Sequence, residues 1–353
     1  MLSPPPGRGI QEDTEEAVDE SLVKALELHQ QVPVIDTHTH FLLAGYFLRK
    51  RFERRHRPPR LWNPLRNTVD LPRLREGRIT CAVFTAYVPP PPLRLGAWPA
   101  LLRMLDFLQQ TVRRNPDDLV FVHNARGIRL AHEQGKLAAM PGVEGGHVIG
   151  RRLERLTVLR ERGVRLLTLT HFIANRICDG HLGPAVHGGL SDFGRQVLQA
   201  CRHLGIVVDL AHASRRAFFQ ALEELERPPV VTHACLREHG RSQRYLEDDQ
   251  VKQLAAAGGL LGVIMCPWYQ QRWGVLGSLE RAADVYCRLA ELVGAEHLII
   301  GTDMDGCTWL PRGMRDAADL PRLTAKLLER GFTTRELKGI LGNNFLRLLA
   351  AWE

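Results

Sequence analysis

The sequence predicts an α/β fold, a closed (β/α)8 barrel of the TIM type with an N-terminal extension. Three observations lead to this prediction. Eight short apolar runs recur along the 353 residues, and segments with helical period separate them. The runs are apolar throughout instead of alternating, which is typical of parallel strands covered by helices on both sides. A barrel of this kind needs about 250 residues, and longer examples carry insertions.

The extension and the barrel divide the chain at residue 30. Residues 1–30 begin with the proline-rich segment Ser3–Gly7 and become acidic and helix-prone, which predicts a tail that runs into a surface helix. Residues 31–353 are predicted to form a single barrel domain that carries the chemistry.

Each apolar run is interpreted as one barrel strand. Between the runs, Leu101, Leu105 and Leu108 lie on one face of a predicted helix over Ala100–Arg114, and Ser214 is a plausible N-cap for a helix that continues to Glu226. An open doubly wound sheet would instead place a glycine-rich phosphate loop after the first strand, where this chain has His38-Thr39-His40-Phe41. The eight runs are Val32–His40, Ile79–Val88, Ala138–Gly146, Val164–His171, Gly205–His212, Pro228–Ala234, Leu260–Met265 and His297–Gly306.

Composition excludes several classes of protein. With 44% hydrophobic and 24% charged residues, the chain is neither disordered nor fibrous, and no run reaches the roughly 18 apolar residues of a membrane span. The N-terminus has no apolar signal core and the seven cysteines show no paired spacing, so we expect a cytoplasmic protein without a membrane partner. A net charge of +8 is spread over a large surface and does not by itself predict a nucleic-acid partner.

Metal-binding and acid-base side chains follow most of the predicted strands. Because a barrel of this type builds its active site at the carboxyl ends of its strands, these side chains are expected to meet at one rim. His38 and His40 are two residues apart on a strand, so both imidazoles can face the barrel axis and share a cation. A single buried histidine is usually structural. Several metal-binding side chains at the ends of different strands, however, predict a metal site. The residues are His38, His40, Glu144, His171, His212, His233, Asp303 and Asp305.

The predicted ligands favour zinc. Four imidazoles and one carboxylate suit Zn²⁺, although Mn²⁺, Fe²⁺ and Co²⁺ accept the same ligands. Five ligands exceed the three of a mononuclear catalytic zinc, so two ions are expected, with Glu144 between them. A water held there would be acidified toward neutral pH, and Asp303 could accept its proton. This chemistry predicts a metal-assisted hydrolase without naming the bond.

Nine short segments in one order resemble the membrane (renal-type) dipeptidases, which are zinc peptidases among the amidohydrolase-like metal-dependent barrels. The resemblance covers about nine tenths of the chain, from Val34 to the end. The segments are Val34–His38, Asp70–Gly77, Gly142–His147, Leu167–His171 with Asn175, Gly189–Gly194, Asp209–Ser214, Thr232–His233, Gly301–Gly306 and Gly342–Asn344.

The resemblance implies a role for each matching residue. His38 would hold the first zinc, Glu144 would bridge both ions, and His212 and His233 would hold the second. His171 would stabilise the developing oxyanion, and Asp303 would transfer protons. Arg244 would bind the free carboxylate of a dipeptide through its guanidinium fork, with Arg237 and Arg241 as competing candidates. Members of this family are often homodimers, which makes a homodimer a possible assembly.

Three departures from the family pattern bear on specificity. His40 stands where the family has aspartate, which makes the ligand set one unit more positive. Ile264-Met265-Cys266 replaces the family's Asn-Phe-Tyr at the end of the seventh strand, and the aromatic segment of the second strand is reduced to Val83-Phe84. The loop after the first strand is longer and more basic, with Arg49, Lys50, Arg51, Arg54, Arg55, Arg57, Arg60 and Arg66. This loop is interpreted either as a solvated excursion or as a positive rim that attracts anionic substrates.

Three functions stay open at this point. The first is a binuclear zinc hydrolase that cleaves a dipeptide or a similar small amide bearing a carboxylate. The second is a metal-dependent phosphoesterase or deoxyribonuclease of the TatD kind, which also opens with Asp-x-His-x-His. The third is a metal-binding barrel without turnover, a possibility raised by His40 and the altered seventh strand. The contexts of Glu144 and His212 favour the dipeptidase.

Overall fold

The computed structural model describes residues 19–57, 67–89, 96–240, 244–270, 277–306 and 309–353. Within these residues, nine strands form one parallel sheet. The strands are β1 Ile35–Thr39, β2 Cys81–Tyr87, β3 Leu119–Phe121, β4 Leu137–Glu144, β5 Leu166–Thr168, β6 Val207–Asp209, β7 Val230–Ala234, β8 Leu260–Val263 and β9 Leu298–Ile300.

Eight of these strands close into a barrel. β2 pairs with β4, and β9 pairs with β1 through Asp36 and Ile300, so the ring runs β1, β2, β4, β5, β6, β7, β8, β9 and back to β1. Each of the eight predicted runs contains or overlaps one barrel strand, which confirms the predicted barrel. The ninth strand, β3, pairs with the first half of β4 outside the ring and was not predicted.

Helices cover the outside of the barrel and connect its strands. Short 3₁₀ turns occur at Gly146–Ile149, Arg237–His239, Ala295–His297 and Ala317–Asp319, and a π-turn lies at Gly339–Asn343. The α-helices are α1 Glu20–Gln31, α2 Phe41–Leu48, α3 Leu71–Glu76, α4 Ala97–Arg114, α5 Ala125–Glu133, α6 Glu154–Glu161, α7 Asp192–Leu204, α8 Arg215–Glu224, α9 Asp248–Ala256, α10 Pro267–Gln270, α11 Leu279–Val293, α12 Leu320–Glu329, α13 Thr334–Lys338 and α14 Asn344–Ala351.

Local sequence explains where several helices begin. The Ser214 hydroxyl accepts a hydrogen bond from the Ala217 amide and caps α8 as predicted, and Ser191 caps α7 in the same way through Gly194. The predicted helix over Ala100–Arg114 lies inside α4, which buries Leu101, Leu105 and Leu108. These caps supply partners for amide groups that have none within the helix.

Barrel closure depends on close backbone contacts between β7, β8 and β9. A Cβ atom built at Gly301 would overlap the carbonyl oxygen of Thr232, and one at Gly262 would overlap the same oxygen. Only glycine allows this approach, because any side chain would push the strands apart. The approach fixes the separation of the strands that lead to His233 and Asp303.

The described part of the N-terminal extension packs onto the barrel. Helix α1 buries Ala25, Leu28 and His29 and lies against α12, while the predicted tail before residue 19 falls outside the described residues. Asp19 caps α1 by accepting from the Leu22 amide. Among the described residues, none of the helices combines the length and the apolar character needed to cross a membrane.

Candidate metal centre

The predicted ligands come from the carboxyl ends of separate strands. His38 lies in β1 and His40 follows it at the start of α2; Glu144 ends β4, and His233 lies in β7. His212 follows β6, three residues beyond its end. All five side chains are buried and meet at one mouth of the barrel, together with Asp303.

Glu144 is the centre of this cluster. Its Oε1 atom lies 3.1 Å from the Nε2 atom of His212, 3.6 Å from that of His38 and 3.7 Å from that of His233. Its Oε2 atom lies 3.4 Å from Nε2 of His40. One carboxylate therefore faces four imidazoles, three of them nearest to Oε1 and one nearest to Oε2.

The donor set of the cluster fits divalent metal ions. Within the described residues, neither oxygen of Glu144 has a hydrogen-bond partner, although both are buried. The Nε2 atoms of His38 and His40 are 3.0 Å apart, and so are those of His212 and His233. A buried carboxylate without donors costs several kcal/mol unless a cation compensates it, and imidazole pairs with a carboxylate are zinc ligands. Among the described residues, three groups have ligand atoms within 4.8 Å of one another: His38–His40–Glu144, Glu144–His212–His233 and His38–His233–Asp303.

Burial keeps most of these imidazoles neutral. It lowers the pKa of His38 and His233 well below the ordinary value, with the other positively charged groups of the site adding to the effect. Burial likewise raises the pKa of Glu144 to about 8. A neutral imidazole offers a lone pair, so these side chains are in the form that a cation requires.

A threonine and an aspartate orient two of the imidazoles. The Thr232 hydroxyl donates to Oδ2 of Asp209 at 2.7 Å. Its lone pairs then face Nδ1 of His233 at 2.9 Å and Nδ1 of His38 at 3.2 Å. Because the hydroxyl proton is committed to Asp209, both Nδ1 atoms carry the proton and both Nε2 lone pairs point to the cluster.

Asp36 joins the first and the last barrel strands beside the site. Its Oδ1 atom accepts from the amides of His38 at 3.2 Å and Thr302 at 3.0 Å, and Oδ2 accepts from the Thr302 hydroxyl. Burial raises the pKa of Asp36 to about 6. These bonds set the position of His38 relative to Asp303.

Asp303 faces His40 across the open side of the cluster. Its Oδ1 atom lies 3.1 Å from Nε2 of His40. Burial lowers the pKa of His40, but the hydrogen bond to Asp303 and the charges of Glu144 and Asp305 outweigh burial and raise it. Asp303 has φ of 58° and His212 has φ of 67°, left-handed conformations that cost non-glycine residues free energy and concentrate at functional sites.

A cavity of about 390 Å³ opens above the cluster. Arg244 reaches it from the segment after the 3₁₀ turn, is 4% exposed, and donates from Nη2 to the His233 carbonyl at 2.8 Å. Of its predicted competitors, Arg237 is exposed and does not line the cavity, and Arg241 lies outside the described residues. His171 also lines the cavity, with Nε2 3.9 Å from Glu144 Oε2, and burial lowers its pKa to about 2.

Sequence reasoning missed the aromatic walls of the cavity. Tyr87 ends β2 with its ring 4.4 Å from that of His171, and the ring of Phe172 lies 3.9 Å from that of His171 on another side. Trp268 and Tyr269 of α10 line the opening beside Cys266. The position of Tyr87 at the end of a predicted strand was an available signal. The α10 aromatics follow Ile264-Met265-Cys266, where the chain departs from the family pattern, and had no comparable signal.

The described part of the basic loop pairs internally and with its neighbours. Arg55 forms two hydrogen bonds of 2.7 Å with Glu76, Arg51 contacts Glu53, and Lys50 contacts Asn67. Arg60 and Arg66 lie outside the described residues. Paired arginines attract an anion less than free ones, so the contacts of Arg51 and Arg55 weaken the attraction that this loop exerts on anions.

Known proteins resemble this chain in sequence and in fold. Residues 22–353 match the family described as membrane dipeptidase (Peptidase family M19). Dipeptidase 3 of Mus musculus is 30% identical over 336 residues, which cover 92% of this chain and 65% of the mouse protein. The chain thus spans slightly less than two thirds of that relative.

Two further relatives are covered more completely. Dipeptidase verJ of Clonostachys rogersoniana is 30% identical over 352 residues, which cover 95% of this chain and 88% of that protein. A crystal structure of a metallopeptidase from Rhodobacter sphaeroides, liganded with a phosphinate mimic of the dipeptide L-Ala-D-Ala, aligns with a TM-score of 0.81 at 24% identity. It covers 91% of this chain and 99% of that chain, and the likeness shows a common barrel fold.

Proposed function

The chain belongs to the membrane dipeptidase family, Peptidase family M19, and on that premise we propose that it is a dipeptidase that works with two zinc ions. The observation that carries the proposal is the arrangement around Glu144, where one buried carboxylate without hydrogen-bond partners faces four imidazoles. His38, His40 and Glu144 would hold one ion, and Glu144, His212 and His233 the other. When bound, such ions polarise a carbonyl group and acidify a water molecule.

Arg244 would position the substrate. Its buried guanidinium is held by the His233 carbonyl and lies with its carbon 5.4 Å from the centre of the Tyr269 ring. A fixed guanidinium binds a carboxylate through two parallel hydrogen bonds. The C-terminal carboxylate of a dipeptide at this position would place the amide bond over the cluster.

Asp303 and His171 would act on the reacting atoms. Asp303 would accept the proton of the attacking water and deliver it to the leaving amine, since its carboxylate lies at the open side of the cluster beside His40. His171 is neutral and has one ring N–H to donate, which would stabilise negative charge on the former carbonyl oxygen. The rings of Tyr87 and Phe172 contact that of His171 and would cover part of this position.

A substrate panel tests the proposal. Protein stripped of metal and reloaded with Zn²⁺ would be assayed with L-L and L-D dipeptides, N-acyl amino acids and a phosphodiester, while bound metal is counted. We expect turnover of a dipeptide with about two zinc ions bound. Phosphodiester cleavage without peptide cleavage would support the TatD-like alternative, and binding of fewer than two ions without turnover would contradict the proposal.

A variant of Arg244 tests the substrate orientation separately. Arg244→Met should raise KM for a dipeptide at least tenfold, because the carboxylate loses its partner. The same variant should change KM little for the matching dipeptide amide, which has no carboxylate. An equal change for both substrates would mean that Arg244 does not bind this group.

A further inference from the structure

A second cavity lies at the opposite end of the barrel from the metal centre. It has a volume of about 360 Å³ and lies where β5, β6 and β7 begin, beside the end of α14. Basic side chains dominate its lining, which includes His123, Arg160, Arg165, His203, Arg227 and Glu353. The dipeptidase chemistry proposed above uses none of these residues.

Arg165 is the buried centre of this cavity. It immediately precedes β5 and is 2% exposed, yet its Nε and Nη2 atoms have no hydrogen-bond partner among the described residues. The same holds for Nη1 of Arg227. Within the described residues, no carboxylate oxygen lies within 4.0 Å of the guanidinium nitrogens of Arg160, Arg165 or Arg227. A buried cation without partners is strongly destabilising unless an anion compensates it.

The guanidinium groups are held in place by their neighbours. Nε of Arg160 donates to the Leu204 carbonyl at 2.9 Å. Arg227 lies with its guanidinium carbon 5.7 Å from the centre of the Trp352 ring, and Trp352 is itself fixed by a hydrogen bond of 2.8 Å from Nε1 to the Pro228 carbonyl. The cationic groups therefore converge on the cavity from three different elements of the fold.

Charge indicates the kind of anion. Three guanidinium groups and the side-chain carboxylate of Glu353 line the cavity, so the cationic side chains outnumber the anionic one. Glu353 accepts from the Ala125 amide at 2.7 Å, so part of its hydrogen-bonding capacity is already used. Burial and the charges of Arg160 and Arg227 lower the pKa of Arg165 to about 10, while the charge of Glu353 acts in the opposite direction.

We propose that this cavity binds a phosphate group, either as inorganic phosphate or as part of a small phosphorylated molecule. A phosphate group is anionic and tetrahedral, so its oxygens point in several directions, as the three guanidinium groups require. A planar carboxylate with a single charge would satisfy fewer of these donors. The site is separate from the metal centre and does not depend on the proposed dipeptidase activity.

Calorimetric titration of the zinc-loaded protein tests this proposal. Inorganic phosphate would be titrated into wild type, Arg160→Gln and Arg227→Gln in a phosphate-free buffer at low ionic strength. These two arginines are only partly buried, so their replacement spares the core. The matched control is Arg129→Gln, which removes an exposed charge from α5. Acetate, and a small phosphate monoester, would be titrated in parallel.

We expect each cavity variant to weaken phosphate binding at least tenfold while Arg129→Gln binds as wild type does. Tighter binding of the monoester than of phosphate would identify a phosphorylated molecule as the ligand, and the reverse would identify inorganic phosphate. Equal phosphate affinity in all four proteins would overturn the proposal, because phosphate held at the metal centre would not respond to these substitutions. Acetate binding as tight as phosphate binding would also overturn it.

Discussion

The Thr232 hydroxyl controls two imidazoles at once. Thr232→Val keeps the size of the side chain but removes the acceptor for Nδ1 of His233 and His38, so their Nε2 lone pairs lose their fixed direction. We expect zinc affinity to fall about 10-fold to 100-fold, measured by competition with a coloured chelator. The far-ultraviolet circular dichroism spectrum should stay unchanged.

A second barrel threonine supplies the control for this variant. Thr85 in β2 is buried, and its hydroxyl has no partner among the described residues. Thr85→Val should therefore leave zinc affinity as in wild type. A similar loss in both valine variants would mean that buried hydroxyl groups matter for packing and not for the direction of the imidazoles.

Asp303 is predicted to accept a proton from the attacking water and to deliver it to the leaving amine. Asp303→Asn keeps the shape of the side chain but removes its basicity, so kcat for a dipeptide should fall by about 10² to 10⁴. Metal content, measured by atomic emission, should change little because the five ligands stay in place. Retention of most activity would contradict the role of Asp303, and loss of one metal would make it a ligand.

At the scale of residues, the sequence reveals the groups that reach the site but not those that orient them. His38, Glu144 and His233 could be predicted because strand ends meet at one mouth of a barrel. The contact of Thr232 with Asp209 depends on the register between β6 and β7, which no local pattern encodes. Arg244 could be separated from Arg237 only by burial, which depends on how the segment after β7 folds back.

Helix α1 is attached to the barrel by a buried histidine. The two ring nitrogens of His29 contact the Gly77 carbonyl at 3.1 Å and the Thr324 hydroxyl at 2.8 Å, and burial lowers its pKa to about 4. The unfolded chain takes up this proton at its ordinary pKa near 6.5, so stability is complete above that pH and is lost as pH falls toward 4. The loss is on the order of 3 kcal/mol.

Replacement of His29 should change how the free energy of unfolding depends on pH. His29→Gln should flatten this dependence between pH 6.5 and 4 in urea unfolding followed by fluorescence, at some cost in stability at neutral pH. His203→Gln on α7 changes an exposed histidine and should keep the wild-type slope. A wild-type slope in His29→Gln would show that another group dominates this pH range.

Gly301, directly after β9, lies so close to β7 that a side chain has no room there. Gly301→Ala forces its new methyl group against the Thr232 carbonyl oxygen, so the strands must move apart. We expect a loss of about 1–3 kcal/mol or more, measured by urea unfolding. Gly96→Ala, at the start of α4, places its methyl group in ordinary contact with Pro99 and should stay within about 0.5 kcal/mol of wild type.

At the scale of elements, the periodicity of the sequence predicted the repeated strands of the barrel but missed the additional strand β3. The eight barrel strands are apolar runs between helical segments, and this repeat is visible in the sequence. Strand β3 has only three residues, of which Val120 and Phe121 are half-buried, so its pattern resembles that of a loop. It forms because β4 extends before the barrel and offers a free edge there.

Removal of the metal is expected to affect the whole molecule. Ions that bind only the folded chain stabilise it by about 4 kcal/mol at a thousandfold excess over Kd. Dialysis against a chelator should therefore lower Tm by several degrees in differential scanning calorimetry, and Zn²⁺ should restore it. Thr232→Val should need more Zn²⁺ for the same recovery. An unchanged Tm on chelation would contradict a bound metal that stabilises the fold.

The two ends of the barrel differ in how well the sequence predicts them. The catalytic end could be predicted because its residues follow strands in a familiar order. The arginine cavity at the other end is built from the start of β5, the segment before β7 and the end of α14, which are distant in sequence. Nothing in the local pattern around Arg165 indicates that its guanidinium is buried without a partner.

The distance along the chain between the proposed metal ligands has a consequence for a protein that has been cut in a loop. The proposed ligands start at His38 in β1 and continue to His233 in β7, so a bound cation links distant parts of the polypeptide as a reversible crosslink. Crosslinks over long loops reduce the entropy of the unfolded chain the most. A protein cut by a protease in a surface loop should therefore stay in one piece while metal is bound and separate into fragments when the metal is withdrawn.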